Sequence, residues 1–199
     1  MMTTESNFRF IGLVLVLISF AISVYHRRQA EDSGEKISDK EEGSLILSLR
    51  KILGLTMWLS MLAYFINPAW MSWSQLTLPL WVRWVGVALM ALCAPLFYWI
   101  FSNLGKNVTK TVAIREEHSL VIIGPYRWVR HPLYTAGFIY FIGLSLLSAN
   151  WFIFLLILLT FAILLMRTPI EEAKLIERFG DEYRQYMKET GRYIPKIKR

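Results

Sequence analysis

Apolar residues are concentrated in five stretches of this chain, separated by shorter polar segments. The stretches cover residues 8–25, 45–66, 78–101, 133–148 and 151–166. A helix crosses a hydrocarbon core of about 30 Å with roughly 20 apolar residues, and the first three stretches are long enough to do so. The last two are near the lower length limit and lie only two residues apart, which favours a tight helical hairpin. The pattern predicts an all-α integral membrane protein with about five transmembrane helices.

The segment that follows residue 166 is amphipathic. Its apolar residues recur at helical spacing: they are Ile170, Ala173, Ile176, Phe179, Tyr183 and Tyr186. Thr168, Pro169 and Glu171 match the N-cap, N1 and N3 positions of a capping box, which predicts that a new helix begins there. Gly180 followed by Asp181 predicts a break in that helix. We expect this segment to lie on the cytosolic face.

The charge distribution supports the membrane assignment. Charged residues make up 19% of the chain, fewer than the roughly 25% of soluble domains. The net charge of +7 would suit nucleic acid, but the basic residues alternate with the apolar stretches, so we expect no nucleic-acid partner. Of the 22 Lys and Arg residues, only Arg9 and Arg83 fall on one side of a five-span arrangement. The positive-inside rule then predicts an external N-terminus and a cytosolic C-terminus. The membrane would be the cell membrane in a prokaryote and the endoplasmic reticulum in a eukaryote.

The chain divides into two predicted halves. Residues 1–101 contain three helices and a charged connector, and residues 102–199 contain a polar loop, the hairpin and the C-terminal helices. Two short β-branched runs, 109–114 and 120–123, weakly favour a small β-hairpin in the loop. The single cysteine, Cys93, excludes an intramolecular disulfide, and we predict no metal site.

The polar motif Gly124–Tyr134, with the sequence GPYRWVRHPLY, precedes the hairpin. Pro132 predicts the first residue of a helix, because a missing N–H costs nothing there. The positive end of that helix suits a carboxylate or phosphate. Basic and aromatic residues at the end of a membrane helix also commonly act only as anchors at the membrane interface. A second polar cluster, residues 167–172, follows the hairpin, so both clusters should return to one side of the membrane and form a site.

Several of these motifs resemble the isoprenylcysteine carboxyl methyltransferase family, which belongs to a wider group including phospholipid N-methyltransferases. The resemblance covers about residues 104–195. The motifs are His118–Val121, Gly124–Tyr126, Arg130–Tyr134, Arg167 with Glu171–Glu172, and Phe179–Tyr183. Such a relationship implies S-adenosylmethionine as cofactor, bound without a Rossmann domain. The cofactor-binding residues that it implies are His118, Ser119, Leu120, Val121, Tyr126, His131, Pro132, Leu133, Tyr134, Glu171 and Glu172.

The same resemblance implies that Arg167 faces the carboxylate of a lipophilic methyl acceptor, with Arg130 as a second electrostatic catalytic residue. A carboxylate is already ionised at pH 7 and needs no general base, whereas an amine would. We expect membrane lipids and a lipophilic or lipid-modified acceptor as partners. Three alternatives stay open: a phospholipid or amine N-methyltransferase, an NADPH-dependent sterol-type reductase, and a non-enzymatic membrane adaptor. The reductase is disfavoured because its Arg-Asp pair and Lys-Tyr-Gly-x-x-Trp run are absent.

Overall fold

A computed structural model describes residues 4–31, 44–105 and 119–196 of the chain. Within these ranges, the regular secondary structure is helical, with no β-strand. The five helices are α1 (Thr4–Glu31), α2 (Ser44–Ile66), α3 (Leu80–Leu104), α4 (Pro132–Ser148) and α5 (Trp151–Glu189). Short 3-10 helices cover Pro68–Ser74 and Gly124–Arg127. The all-α prediction is confirmed. The first run of the suggested β-hairpin lies outside the described residues, and 120–123 is not a strand.

Each predicted apolar stretch corresponds to one helix, with residues 78 and 79 preceding α3, so the multi-pass membrane assignment is confirmed. Helices α1, α2, α3 and α5 are each long and apolar enough to cross a membrane. Helix α4 is shorter, with 17 residues, or about 25 Å at 1.5 Å per residue. Helix α5 has 39 residues with a break at Gly180; the part before the break is about 44 Å long at 1.5 Å per residue, which exceeds a hydrocarbon core. Its apolar part ends near residue 166, and the charged remainder is the predicted amphipathic segment.

The predicted helix start at Thr168 is wrong. Helix α5 continues through Thr168 and Pro169 without interruption. Thr168 is fully buried; its hydroxyl donates to the carbonyl of Leu164 at 2.7 Å and accepts from the Tyr193 hydroxyl at 2.6 Å, so its partners are not those of an N-cap. Glu171 therefore has no capping role. The break at Gly180 is confirmed, because its φ of 56° leaves helical geometry in a region that glycine enters without steric cost.

The two basic residues assigned to the outer side are both held by polar partners. Arg83 donates to both Glu5 carboxylate oxygens, at 2.8 and 3.2 Å, and to the backbone carbonyl of Leu147 at 2.8 Å. Tyr64 also donates to Glu5, at 2.9 Å. Arg9 donates to backbone carbonyls at the end of α2. A charge at a helix end is tolerated when it is paired in this way, so this end of the bundle has a structural polar cluster.

Close packing of α4 against α3 positions the hairpin. A methyl group added at Gly86 would lie 2.5 Å from the carbonyl oxygen of Gly143, so only small residues permit this approach. At the turn that follows, Asn150 caps α5 by accepting from the N–H of Ile153 at 3.0 Å. Its amide also donates to Ser74 at 2.8 Å. Both ends of α4 are therefore fixed relative to the rest of the bundle.

Candidate active site

Helix α4 starts where the sequence predicts, and the segment after α5 packs against this start, which the sequence did not indicate. Pro132 is the first helical residue and His131 stands at the N-cap position. The backbone N–H groups of Arg130 and His131 donate to the carbonyls of Gly191 and Arg192, at 2.9 and 3.0 Å. The segment after α5 thus covers the start of α4 and brings the two predicted clusters together.

Glu172 joins these segments through three cationic or polar partners. It accepts from Arg130 Nε at 2.9 Å, from His131 Nε2 at 3.3 Å and from Arg192 Nη2. Its side chain is 3% exposed. Burial alone would raise the pKa of this carboxyl, but the bonds from His131, Arg192 and Arg130 outweigh it and lower the pKa to about 2. Glu172 is consequently ionised at neutral pH, with both oxygens engaged.

The Arg130 guanidinium also has several hydrogen-bond partners. Besides Glu172, its guanidinium donates to the carbonyls of Met187 and Thr190, at 3.2 and 2.5 Å. These contacts tie the start of α4 to the end of α5. Arg130 therefore belongs to a cluster of bonded side chains centred on Glu172, with His131 and Arg192, which we call the Glu172 cluster. The catalytic role of Arg130 stays a prediction.

Glu171 has a different environment from its neighbour. Its carboxylate accepts from the Tyr134 hydroxyl at 2.6 Å and lies 4.0 Å from His131 Nδ1. Its side chain remains 26% exposed. The His131 and Tyr134 rings stack at 5.3 Å with an interplanar angle of 12°. A partly accessible carboxylate thus lies beside two stacked rings, an arrangement suited to an organic cation.

Arg167 is buried, with 7% exposure, where the apolar part of α5 ends. The neighbouring Thr168 hydroxyl accepts from Tyr193 at 2.6 Å, and the Tyr193 carbonyl accepts from Thr135 at 2.8 Å. Tyr193 and Arg192 were missed from the sequence. The signal was a basic and an aromatic residue directly after the last predicted helix, a pattern that surface residues also show.

Of the remaining predicted cofactor residues, Leu133 lies in the first turn of α4, and the others lie in the segment before that helix. Tyr126 is buried, which raises the pKa of its phenol, and its carbonyl accepts from Tyr186 at 2.6 Å. Val121 packs against the core, whereas Ser119 is exposed and Leu120 is half-buried. His118 lies outside the described residues. The direct roles of this group in binding a cofactor stay predictions.

An apolar cavity of about 430 Å³ lies on the membrane side of this polar cluster. All five helices contribute to its wall, including Met57 and Met61 of α2 and Phe138 of α4. Tyr134 also lines it, and the hydroxyl of this residue bonds Glu171. The volume is within the usual range for small-molecule sites. The cavity therefore ends against the polar cluster.

One face of α5 connects the cavity with the polar cluster. Thr160 and Leu164 line the cavity, and Arg167 and Glu171 follow them at intervals of three and four residues. Residues at this spacing lie above one another on a helix. Arg167 is thus located between the cavity wall and Glu171, where it could attract the anionic end of a molecule whose tail fills the cavity.

The sequence matches one protein family pattern and is similar to several known proteins. The phospholipid methyltransferase family pattern matches residues 81–182, about half of the chain. A protein-S-isoprenylcysteine O-methyltransferase from Schizosaccharomyces pombe is 38% identical over 96 residues, or 47% of this chain and 41% of that protein. The protein of the same name from Homo sapiens is 30% identical over 129 residues, or 63% of this chain and 45% of that protein. This chain thus aligns with less than half the length of these relatives.

A solved structure is similar over most of the chain. It is that of the eukaryotic intramembrane Ras methyltransferase ICMT, an isoprenylcysteine carboxyl methyltransferase. The TM-score is 0.51, at 19% identity, and the match covers 94% of this chain and 68% of that one. At this identity the similarity supports the helical membrane fold. It agrees with the fold predicted from the sequence motifs.

Proposed function

Because this chain belongs to the phospholipid methyltransferase family, we propose that it is an integral membrane methyltransferase that uses S-adenosylmethionine and acts on a lipophilic carboxylate. The observation that carries this proposal is the position of Tyr134. Its ring lines the apolar cavity, while its hydroxyl bonds the accessible carboxylate of Glu171. A cofactor at Glu171 and an acceptor in the cavity would therefore meet at this residue.

The residues around Glu171 fit the chemistry of S-adenosylmethionine. Its ammonium would pair with Glu171, whose charge is only partly used by Tyr134 and which remains 26% exposed. Its sulfonium and adenine suit the stacked rings of His131 and Tyr134. Glu172 is a poorer partner for the ammonium, because its oxygens already bind three side chains. We therefore assign the ammonium contact to Glu171 and the support of His131 to Glu172.

The acceptor chemistry needs little from the protein beyond alignment. S-adenosylmethionine supplies an electrophilic methyl group when bound. A carboxylate acceptor is ionised at pH 7, so no residue has to remove a proton. Arg167 would hold and orient this carboxylate, and the apolar cavity would exclude water from it. We propose an acceptor of the isoprenylcysteine type because the named relatives act on that group.

Glu171→Gln and His131→Ala are each expected to weaken S-adenosylmethionine binding by roughly 1–3 kcal/mol, the usual cost of losing a buried polar or charged partner. Glutamine can still accept from Tyr134 but does not attract an ammonium. Titration calorimetry of the detergent-purified protein would measure the change. Glu177→Gln, an exposed position on the same helix, should bind as the wild type does.

Three results would count against this site. Binding at full strength in both folded variants would remove Glu171 and His131 from it. Binding of NADPH and not S-adenosylmethionine by the wild type would favour a reductase. Binding of neither ligand would favour a membrane adaptor.

We also infer a cytosolic C-terminus from the basic residues, and single cysteines in a Cys93→Ser background can test it. Cysteines at residue 35 and at the C-terminus should react only with reagents on the cytosolic side. Trp73 and Trp151 are exposed and their rings lie 5.6 Å apart, so Trp73→Cys and Trp151→Cys should both react from the opposite side. Cytosolic labelling of these two positions would reverse the orientation. Labelling from different sides would contradict the helix arrangement itself.

A further inference from the structure

Tyr193, in the segment after α5, bonds both helices of the hairpin. Its backbone carbonyl accepts from the hydroxyl of Thr135, in the first turn of α4, at 2.8 Å. Its own hydroxyl donates to the hydroxyl of Thr168 of α5 at 2.6 Å. Thr168 is fully buried, and a hydrogen bond away from water is electrostatically stronger than one at the surface. These two bonds, which we call the Tyr193 link, therefore join α4 to α5.

The two threonines directly follow residues that the proposed function assigns to the two reactants. Thr135 follows Tyr134, at the proposed cofactor position, and Thr168 follows Arg167, the proposed ligand of the acceptor carboxylate. Successive residues of a helix lie only about 1.5 Å apart along its axis, so a bond at each threonine restrains its neighbour. The Tyr193 link thus fixes the cofactor side of the site relative to the acceptor side.

The Tyr193 ring contacts the same two parts of the site. Its centroid lies 5.9 Å from that of His131 and 5.9 Å from that of Phe161, which lines the apolar cavity. Phe161 in turn stacks on Phe138 of α4 at 4.2 Å. Aromatic pairs at these distances attract one another, so ring packing supports the Tyr193 link.

The backbone of this segment is held independently of the Tyr193 side chain. The carbonyl of Gly191 accepts from the N–H of Arg130 at 2.9 Å. The carbonyl of Arg192 accepts from the N–H of His131 at 3.0 Å. Removal of the Tyr193 hydroxyl would therefore leave the carbonyl bond to α4 in place and remove only the bond to α5.

Other bonds between these turns are made by residues that are themselves proposed to bind or support the cofactor. Tyr134 donates to Glu171, and His131 pairs with Glu172. A bound cofactor would compete for these side chains. The two threonines of the Tyr193 link have no proposed ligand, so this link persists when the cofactor binds.

We propose that Tyr193 is a positioning residue for methyl transfer; this rests on the proposed function. It acts through Tyr134 and Arg167, whose relative position sets the distance between the methyl donor and the acceptor carboxylate. Methyl transfer needs the reacting atoms aligned to within a fraction of an ångström, whereas binding contacts tolerate small shifts. The Tyr193 link therefore acts on turnover and not on the affinity for either reactant.

Tyr193→Phe tests this role, because it keeps the ring and the bond to Thr135 and loses only the bond to Thr168. We expect kcat for methyl transfer to a lipophilic carboxylate to fall about tenfold, below the roughly 10²-fold that a misplacement of 1 Å can cost. The Kd for S-adenosylmethionine, measured by titration calorimetry, and the KM for the acceptor should each change by no more than about twofold. A merely structural role would weaken binding and turnover together or change neither.

Thr168→Val removes the same bond from the other side, and it should lower kcat by a similar factor. The double variant Tyr193→Phe with Thr168→Val should be about as slow as either single variant, because both substitutions remove one shared bond. Thr168→Ser keeps a hydroxyl and should retain the wild-type kcat. Effects that multiply to about a hundredfold in the double variant would show independent causes and overturn the inference.

Tyr64→Phe is the matched control. It also removes the hydroxyl of a buried tyrosine, one that donates to Glu5 at 2.9 Å, but at the end of the bundle that holds Arg83. Its kcat should equal that of the wild type. A decrease as large as that of Tyr193→Phe would show that any loosening of the bundle slows the reaction, and it would overturn the inference.

Hydrogen exchange measured by mass spectrometry gives a readout that does not depend on the reaction. Tyr193→Phe should raise amide exchange in peptides covering residues 131–136 and 165–172, because these turns lose one connection, and Tyr64→Phe should not. Unchanged exchange in Tyr193→Phe would overturn the inference.

The outcomes separate this inference from the proposed function. Methyl transfer by Tyr193→Phe at the wild-type rate, or equal losses of cofactor affinity and turnover, would overturn the inference and leave the methyltransferase assignment standing. Increased exchange in Tyr193→Phe, without methyl transfer to any carboxylate by the wild type, would support the link between the helices and refute the proposed reaction.

Discussion

Arg167→Ala is expected to abolish methyl transfer while leaving the affinity for S-adenosylmethionine nearly unchanged. Arg167 is buried and lies on the α5 face that joins the cavity-lining Leu164 to Glu171. A guanidinium there would hold the acceptor carboxylate in line with the methyl donor. Loss of one such charge-stabilising donor commonly costs 10²–10³-fold in turnover. We expect a decrease on the order of 10²-fold, measured as methyl transfer to a lipophilic carboxylate.

Arg167→Lys distinguishes this role from simple anchoring at the membrane interface. A lysine can anchor a helix end as well as an arginine, but its ammonium cannot make the planar two-pronged contact with a carboxylate. We therefore expect the lysine variant to recover little activity. Arg184→Ala is the control on the same helix, because that side chain is 56% exposed, and it should be fully active.

The acceptor panel for these variants should contain lipophilic carboxylates and lipophilic amines, including a phospholipid with a primary amine. Full activity of Arg167→Lys would reduce Arg167 to an anchor. Methylation of amines alone by the wild type would refute the carboxylate assignment and support the phospholipid N-methyltransferase alternative.

Glu172→Ala is expected to lower the free energy of unfolding by about 3 kcal/mol, the low end of the range for breaking a buried ion pair. The substitution would leave Arg130 and His131 buried without their shared carboxylate. The contacts that join α4, α5 and the segment after α5 would weaken together. Thermal or denaturant unfolding in detergent would show the loss. Asp181→Asn removes a carboxylate that is 95% exposed, and this control should change stability by no more than about 0.5 kcal/mol.

The pH dependence of stability gives an independent check on Glu172. Its pKa in the folded protein is about 2, against an ordinary value of 4.5. A carboxyl whose pKa is lower in the folded protein stabilises the fold fully at pH values above its pKa in the unfolded chain. This stabilisation is lost as the pH falls towards the folded-state pKa. Wild-type stability should therefore decrease between about pH 4.5 and pH 2. Glu172→Gln should lack this part of the decrease. If the stability of Glu172→Gln decreased with falling pH as much as that of the wild type, the role of Glu172 in the Glu172 cluster would be contradicted.

Local patterns in the sequence were sufficient for most of the helices. The apolar stretches determined the five helices because side chains that face lipid are predominantly apolar, whatever their tertiary neighbours. Pro132 and Gly180 determined a helix start and a helix break, because their effects come from their own backbone. The motifs around Arg130–Tyr134 and Glu171–Glu172 also identified the family correctly. The capping signature at Thr168 was wrong because helix α5 continues through this residue, whose buried hydroxyl bonds Leu164 of the preceding turn and Tyr193 of the segment after α5.

The different surroundings of the two adjacent glutamates could be determined only from the tertiary structure. Sequence motifs placed Glu171 and Glu172 in one predicted site, but adjacent helical residues point in directions about 100° apart. Glu172 meets Arg130, Arg192 and the Nε2 of His131, and Glu171 meets Tyr134, the Nδ1 side of His131 and solvent. Apolar periodicity determines which residues enter the membrane, but only packing determines which polar groups meet one another.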